Sequence, residues 1–126
     1  MTGAYERFEL LLNDRVVKTP IAISAMAGWV DAAYVEARKE HVGAAFIGGY
    51  SVDAPTLQAS REMAAAGRQE FLPDDPLAEL DRQLERVERT GVVAGVNLRA
   101  SSPESFREAA RALGDRTVYE IDAHCR

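Results

Sequence analysis

Four short apolar runs, each separated from the next by helix-forming sequence, restrict this chain more than anything else in it. They are Ile21-Ala-Ile-Ser-Ala-Met-Ala-Gly28, Gly43-Ala-Ala-Phe-Ile-Gly-Gly-Tyr50, Gly91-Val-Val-Ala-Gly-Val-Asn-Leu98 and Thr117-Val-Tyr-Glu-Ile-Asp-Ala-His124. Runs of this length and composition suit strands buried on both faces, the pattern of a parallel sheet. The intervening segments carry helix starts. Asp31 can cap a helix to about His41, and Asp53 with Pro55 opens one through Arg68. Asp75-Pro76 is a good N-cap and first-turn pair, and Ser102-Pro103-Glu104 is another. Leu77, Leu80, Leu84 and Val87 share one face of the third helix; Phe106, Ala109, Ala110 and Leu113 share one face of the fourth. Strands alternating with helices imply parallel pairing through right-handed crossovers. Upstream, residues 7–18 read as a β-hairpin around Asn13-Asp14, a pair that tolerates positive φ in a tight turn.

Two α/β architectures satisfy this pattern. One is a small open sheet of four or five strands. The other is the N-terminal half of a (β/α)8 TIM barrel, whose full length is roughly 250 residues. Because the sequence stops where a helix after the fourth strand would start, the half barrel is the expectation, with about four parallel strands and their helices behind the hairpin. Residues 1–126 then form one partial barrel domain, and 20–126 hold βα units one to four.

Composition narrows the setting. With 126 residues the chain has the size of one domain, and 47% apolar residues are enough for a core. A net charge of −5 argues against a basic nucleic-acid arm or membrane patch, while leaving room for a local basic strip. One cysteine excludes an internal disulfide, which points to a reducing cytoplasm. Met1–Arg7 does not read as a signal peptide, and the Ile21–Val30 stretch is too short to span a bilayer, so no membrane partner is expected. His124 beside Cys125 falls short of the three or four ligands that zinc needs.

In a parallel sheet the chemistry gathers at the carboxyl ends of the strands. Those ends hold Ala25-Met26-Ala27-Gly28, Gly48-Gly49-Tyr50, Asn97-Leu98-Arg99 and Asp122-Ala123-His124-Cys125. Small residues let a flat ligand approach the backbone. Asn97 offers a donor and an acceptor to a heterocyclic imide edge, and Cys125 offers a proton or a nucleophile. Each has a plainer reading: an incidental thiol near a terminus, Met26 and Trp29 as core residues, Gly48-Gly49 as a turn, His41 as structural, and Glu85, Arg86, Glu88 and Arg89 as a solvated helix face.

The segment Ala25-Met-Ala-Gly-Trp-Val-Asp31 resembles the proline-methionine-alanine-glycine-x-threonine-aspartate signature of the tRNA-dihydrouridine synthases. Tyr119-Glu-Ile-Asp-Ala-His-Cys-Arg126 is similar to their aspartate-isoleucine-asparagine-x-glycine-cysteine-proline segment, and Val96-Asn-Leu-Arg99 sits where they carry a glutamine-containing strand. The hairpin leading into Lys18-Thr19-Pro20 also resembles the related dihydroorotate dehydrogenases. The chain departs from the signatures at Ala25, Val30, His124 and Arg126. The resemblance implies an FMN-dependent oxidoreductase, with NAD(P)H as reductant, that forms 5,6-dihydrouridine in RNA. It implies that backbone at Ala25, Met26 and Ala27 lines the flavin, that Asn97 contacts it, that Asp122 borders flavin and substrate, and that Cys125 is the general acid. It covers the first half of such an enzyme; the second half supplies the flavin's phosphate-binding loops. Two other readings stand beside it. One is a non-catalytic half barrel that forms a homo-oligomer or pairs with a C-terminal half; the other is an FMN-dependent dehydrogenase of a free pyrimidine such as dihydroorotate.

Overall fold

Asn13 and Asp14 both take positive φ (53° and 62°), and the tight turn they make joins β1 (Leu11–Leu12) to β2 (Arg15–Val16) in an antiparallel hairpin. The computed structural model describes residues 8–123, so Cys125 with His124 and Arg126, and the first residue of the expected hairpin segment, lie outside the described residues. After the hairpin come β3 (Ala22–Ile23), α1 (Ala32–Glu36), β4 (Ala44–Ser51), α2 (Ala54–Ala65), α3 (Pro76–Arg89), β5 (Val93–Arg99), α4 (Pro103–Leu113) and β6 (Val118–Ile121). The fold is α/β, and β3, β4, β5 and β6 form one parallel sheet in which each strand lies beside its successor in the chain.

The four sequence-assigned N-caps act as expected. The side chains of Asp31, Asp53, Asp75 and Ser102 accept from the backbone N–H groups of Tyr34, Thr56, Ala78 and Ser105. Two helices end earlier than the sequence pattern suggests. The first stops at Glu36 rather than His41. Beyond it, Arg38 and His41 bond back three residues, and residues 37–41 are exposed, leaving no apolar face to hold a longer helix. The second stops at Ala65 rather than Arg68, because Gly67 turns left-handed at φ 94°.

The layers follow from which side chains each strand sends to which face. Ala45 and Ile47 of β4, with Ala94, Val96 and Leu98 of β5, join Leu80, Leu84 and Val87 of α3 in the main core. Helix α3 packs on β4 and β5 and touches both α1 and α4, so these three helices cover one face. Burying Leu80, Leu84 and Val87 stabilises the fold by about 1.5–3 kcal/mol each. On the opposite face Ala44, Val93 and Val118 meet Phe8, Leu12 and Val17 of the hairpin segment. The hairpin is tied to the last turn of α3 and to the loop that enters β6: Arg15 pairs with Glu88, and the Asn13 amide donates to the Asp115 carbonyl. It therefore closes the amino-terminal end of the sheet.

The outer strands differ from expectation. The Ile21–Gly28 run contributes only two strand residues, and Ile21 is 43% exposed rather than buried on both sides. β3 pairs on one side alone, so no described strand pairs with its outer edge; Ile121 on β6, at the other edge, is 57% exposed.

Candidate functional site

The face opposite the helices changes character from one end to the other. At its base are the apolar residues beneath the hairpin; next, the Phe46 ring lies against Gly95, where an added Cβ would sit 2.6 Å from it. Above that layer the alternation of β5 brings Asn97 and Arg99 to the same side, and both are polar. The Asn97 amide donates to Glu120 on β6 at 2.9 Å. Arg99 donates to the Gly49 carbonyl at 2.9 Å and to Glu70 at 2.8 Å, with both charged side chains more than nine-tenths buried. The Arg99 Nε is buried with no hydrogen-bond partner.

Gly48-Gly49 makes this packing possible. The peptide between them is cis, and β4 loses register with β5 at this point. A Cβ on Gly49 would lie 2.6 Å from the Asn97 Oδ1 and 3.2 Å from the Arg99 Nε. The absence of a side chain leaves a flat backbone step between the amide and the guanidinium.

Two loops rise around this end of the sheet. In the β3–α1 loop, the N–H groups of Trp29 and Val30 both donate to the Met26 carbonyl at 3.0 Å. The other wall is the segment between α2 and α3. Glu70 anchors it to Arg99, and Phe71 stacks on Tyr50 with ring centroids 4.6 Å apart. Burial pushes the Tyr50 hydroxyl well above its ordinary value, with the Asp31 and Glu79 charges adding to it, so Tyr50 stays neutral. A third tie is Asp53, which accepts from Thr56 and from both the N–H and hydroxyl of Ser101, linking the start of α2 to the β5–α4 loop. Partial desolvation raises its carboxyl, but the hydrogen bonds from Thr56 and Ser101 outweigh this and hold it well below the usual carboxylate range.

The two walls meet at Gly28. It has φ 77°, and a Cβ there would lie 2.6 Å from the Gln69 Cβ, 2.7 Å from the Gln69 carbonyl carbon and 2.8 Å from the Glu70 nitrogen. Gly67 is also left-handed but has nothing within 4 Å. Gly28→Ala is therefore expected to destabilise by about 3 kcal/mol or more, from backbone strain plus a clash that no side-chain rotation relieves. Gly67→Ala carries the strain alone, about 1–2 kcal/mol. Urea midpoints compare them, and equal losses would mean that the two loops do not meet as described.

Of the residues that the sequence points to, Ala25, Met26 and Ala27 lie in the first wall, Asn97 on the polar face, and Asp122 just past β6, where its N–H donates to the Leu98 carbonyl at 3.0 Å. All sit at the carboxyl ends of the strands. Met26 and Trp29 are 59% and 56% exposed, so neither is a core residue. The Asn97 donor is engaged by Glu120. Sequence reasoning missed Arg99, Glu70 and Glu120. Arg99 was within reach, two residues beyond Asn97 on a strand; Glu70 gave no such signal, being an acid in a loop. The groups that would meet the ring end of a flavin here are the Asn97 amide, the Arg99 guanidinium with its one unmatched N–H, and the glycine step that any side chain would fill.

Among the described residues no group of His, Cys, Asp and Glu is arranged to hold a metal ion, and no helix is long and apolar enough to cross a membrane. An uncharacterized protein of Methanocaldococcus jannaschii is 26% identical over 111 residues, which cover 84% of this chain and 42% of that protein. The chain thus spans about two fifths of the length of that relative. No family model matches the chain, and no solved structure matches it.

Proposed function

We propose that the chain is the N-terminal half of a (β/α)8 barrel that binds FMN at the carboxyl ends of its strands and reduces uridine in RNA to 5,6-dihydrouridine. The observation that carries this reading is the polarity of one sheet face. A hairpin closes its apolar amino end, and Asn97, Arg99 and the Gly48-Gly49 step occupy its carboxyl end, in a parallel sheet whose neighbours follow chain order. A barrel interior has this arrangement. The relative's length agrees: if 111 residues are 42% of it, it has roughly 260 residues, about what eight βα units need.

In this reading Asn97 and Arg99 hold the polar edge of the ring, and backbone at Ala25, Met26 and Ala27 lies along its face. When bound and reduced by NAD(P)H, FMN would supply the hydride for one carbon of the uracil double bond. Cys125 gives its thiol proton to the other carbon, so the ring gains one hydride and one proton and the thiolate regains its proton from solvent. Asp122 would border the ring and the substrate. Adding FMN to the purified protein tests the reading: perturbed flavin absorbance with quenched emission is expected, and a flavin spectrum identical to that of free FMN would refute it.

A second reading, favoured by the open outer edges of β3 and β6, is that the four strands associate with another copy or a further half barrel. Light scattering on the same preparation addresses it, and a monomer that binds flavin would remove it.

A further inference from the structure

Met26, Ala27 and Trp29 on one wall and Arg68, Gln69 and Glu70 on the other line a pocket of about 270 Å³. Its side chains are an unusual set for a surface. Trp29, the sole tryptophan of the chain, is 56% exposed, and Met26 beside it is 59% exposed. A large aromatic ring left open to water is a stacking platform without a partner. The charge beside it has one sign. Glu70 is the only acid in the lining, and its carboxylate is buried against Arg99, so the charge presented to solvent is that of the exposed Arg68. The walls are also fixed, because Gly28 packs directly on Gln69 and Glu70.

We infer that this pocket is a nucleotide subsite, which takes an unstacked base of single-stranded RNA on Trp29 and its phosphate on Arg68. Aromatic faces accept any base, and an adjacent cation reads the phosphate without reading sequence. The net charge of −5 makes such a local cation necessary, since the surface as a whole does not attract a polyanion. The inference rests on the RNA-reducing reading for its choice of ligand and extends it from the reacting base to a neighbouring nucleotide. Met26 gives the base a soft apolar edge.

The sole tryptophan makes the test direct. Titrating the full chain with an oligouridylate of about ten nucleotides should quench Trp29 emission saturably, with an affinity that falls as salt rises. In anisotropy measurements with the labelled oligonucleotide, Trp29→Ala should bind about tenfold more weakly or worse. Arg68→Gln should lower the slope of log affinity against log salt by about one. Quenching by FMN but not by oligouridylate would overturn the subsite and give the pocket to the flavin. Equal binding of duplex RNA, or undiminished binding by Trp29→Ala, would overturn it too. Oligouridylate binding without flavin binding would uphold the subsite while the reductase reading fails.

Discussion

Replacing Glu70 with leucine is expected to lower the stability of this protein by about 3–5 kcal/mol, a cost set by the charge it leaves behind. Arg99 is buried at the carboxyl end of β5 and donates to two acceptors among the described residues, the Glu70 carboxylate and the Gly49 carbonyl. Its Nε already has no partner. Without Glu70 a guanidinium stays desolvated with one neutral acceptor, and removing one partner of a buried pair is far more costly than removing both. The double variant Glu70→Leu with Arg99→Met should therefore recover most of the loss. Thermal unfolding reads the difference: the single variant should melt more than about 10 °C lower, with the double variant well above it. A change of only about 2 °C would mean that water reaches the pair. The single variant should also loosen the α2–α3 segment, because the Glu70 pair anchors it together with the Tyr50–Phe71 stack and the Gly28 contact.

That pair also shows what the sequence could and could not convey. Local rules gave the caps at Asp31, Asp53, Asp75 and Ser102, since each is a short-range competition between a side chain and orphan N–H groups. The Asn13-Asp14 turn was legible for a similar reason: few residues tolerate two consecutive positive φ values. Alternation along β5 put Asn97 on one face, and its identity as a polar residue in an apolar run marked it. Helix ends were harder, because α1 stops where burial stops, which is a tertiary fact. The Glu70–Arg99 pair was not legible at all. Its partners are 29 residues apart across a helix, and a loop glutamate normally faces water. The exposure of Trp29 was hidden for the converse reason: tryptophan in an apolar motif reads as core until the fold shows an open loop around it.

The measurement that bears most directly on the central claim is NAD(P)H-dependent reduction of uridine in unmodified RNA by the complete barrel containing this chain, with FMN, compared with its Cys125→Ala variant. The roles separate cleanly. Hydride supply to the flavin does not involve the thiol, so flavin reduction by NAD(P)H should be the same in both proteins. In the proposed reaction, protonation of the uracil carbon would involve it, and loss of a general acid slows such a step by about 10²–10⁴-fold. The prediction is that RNA uridine gains two hydrogens by mass in the presence of the native protein, and that Cys125→Ala lowers this rate at least about 100-fold with flavin reduction unchanged. RNA that gains no hydrogen, or a Cys125→Ala variant that reduces uridine at the native rate, would contradict the account.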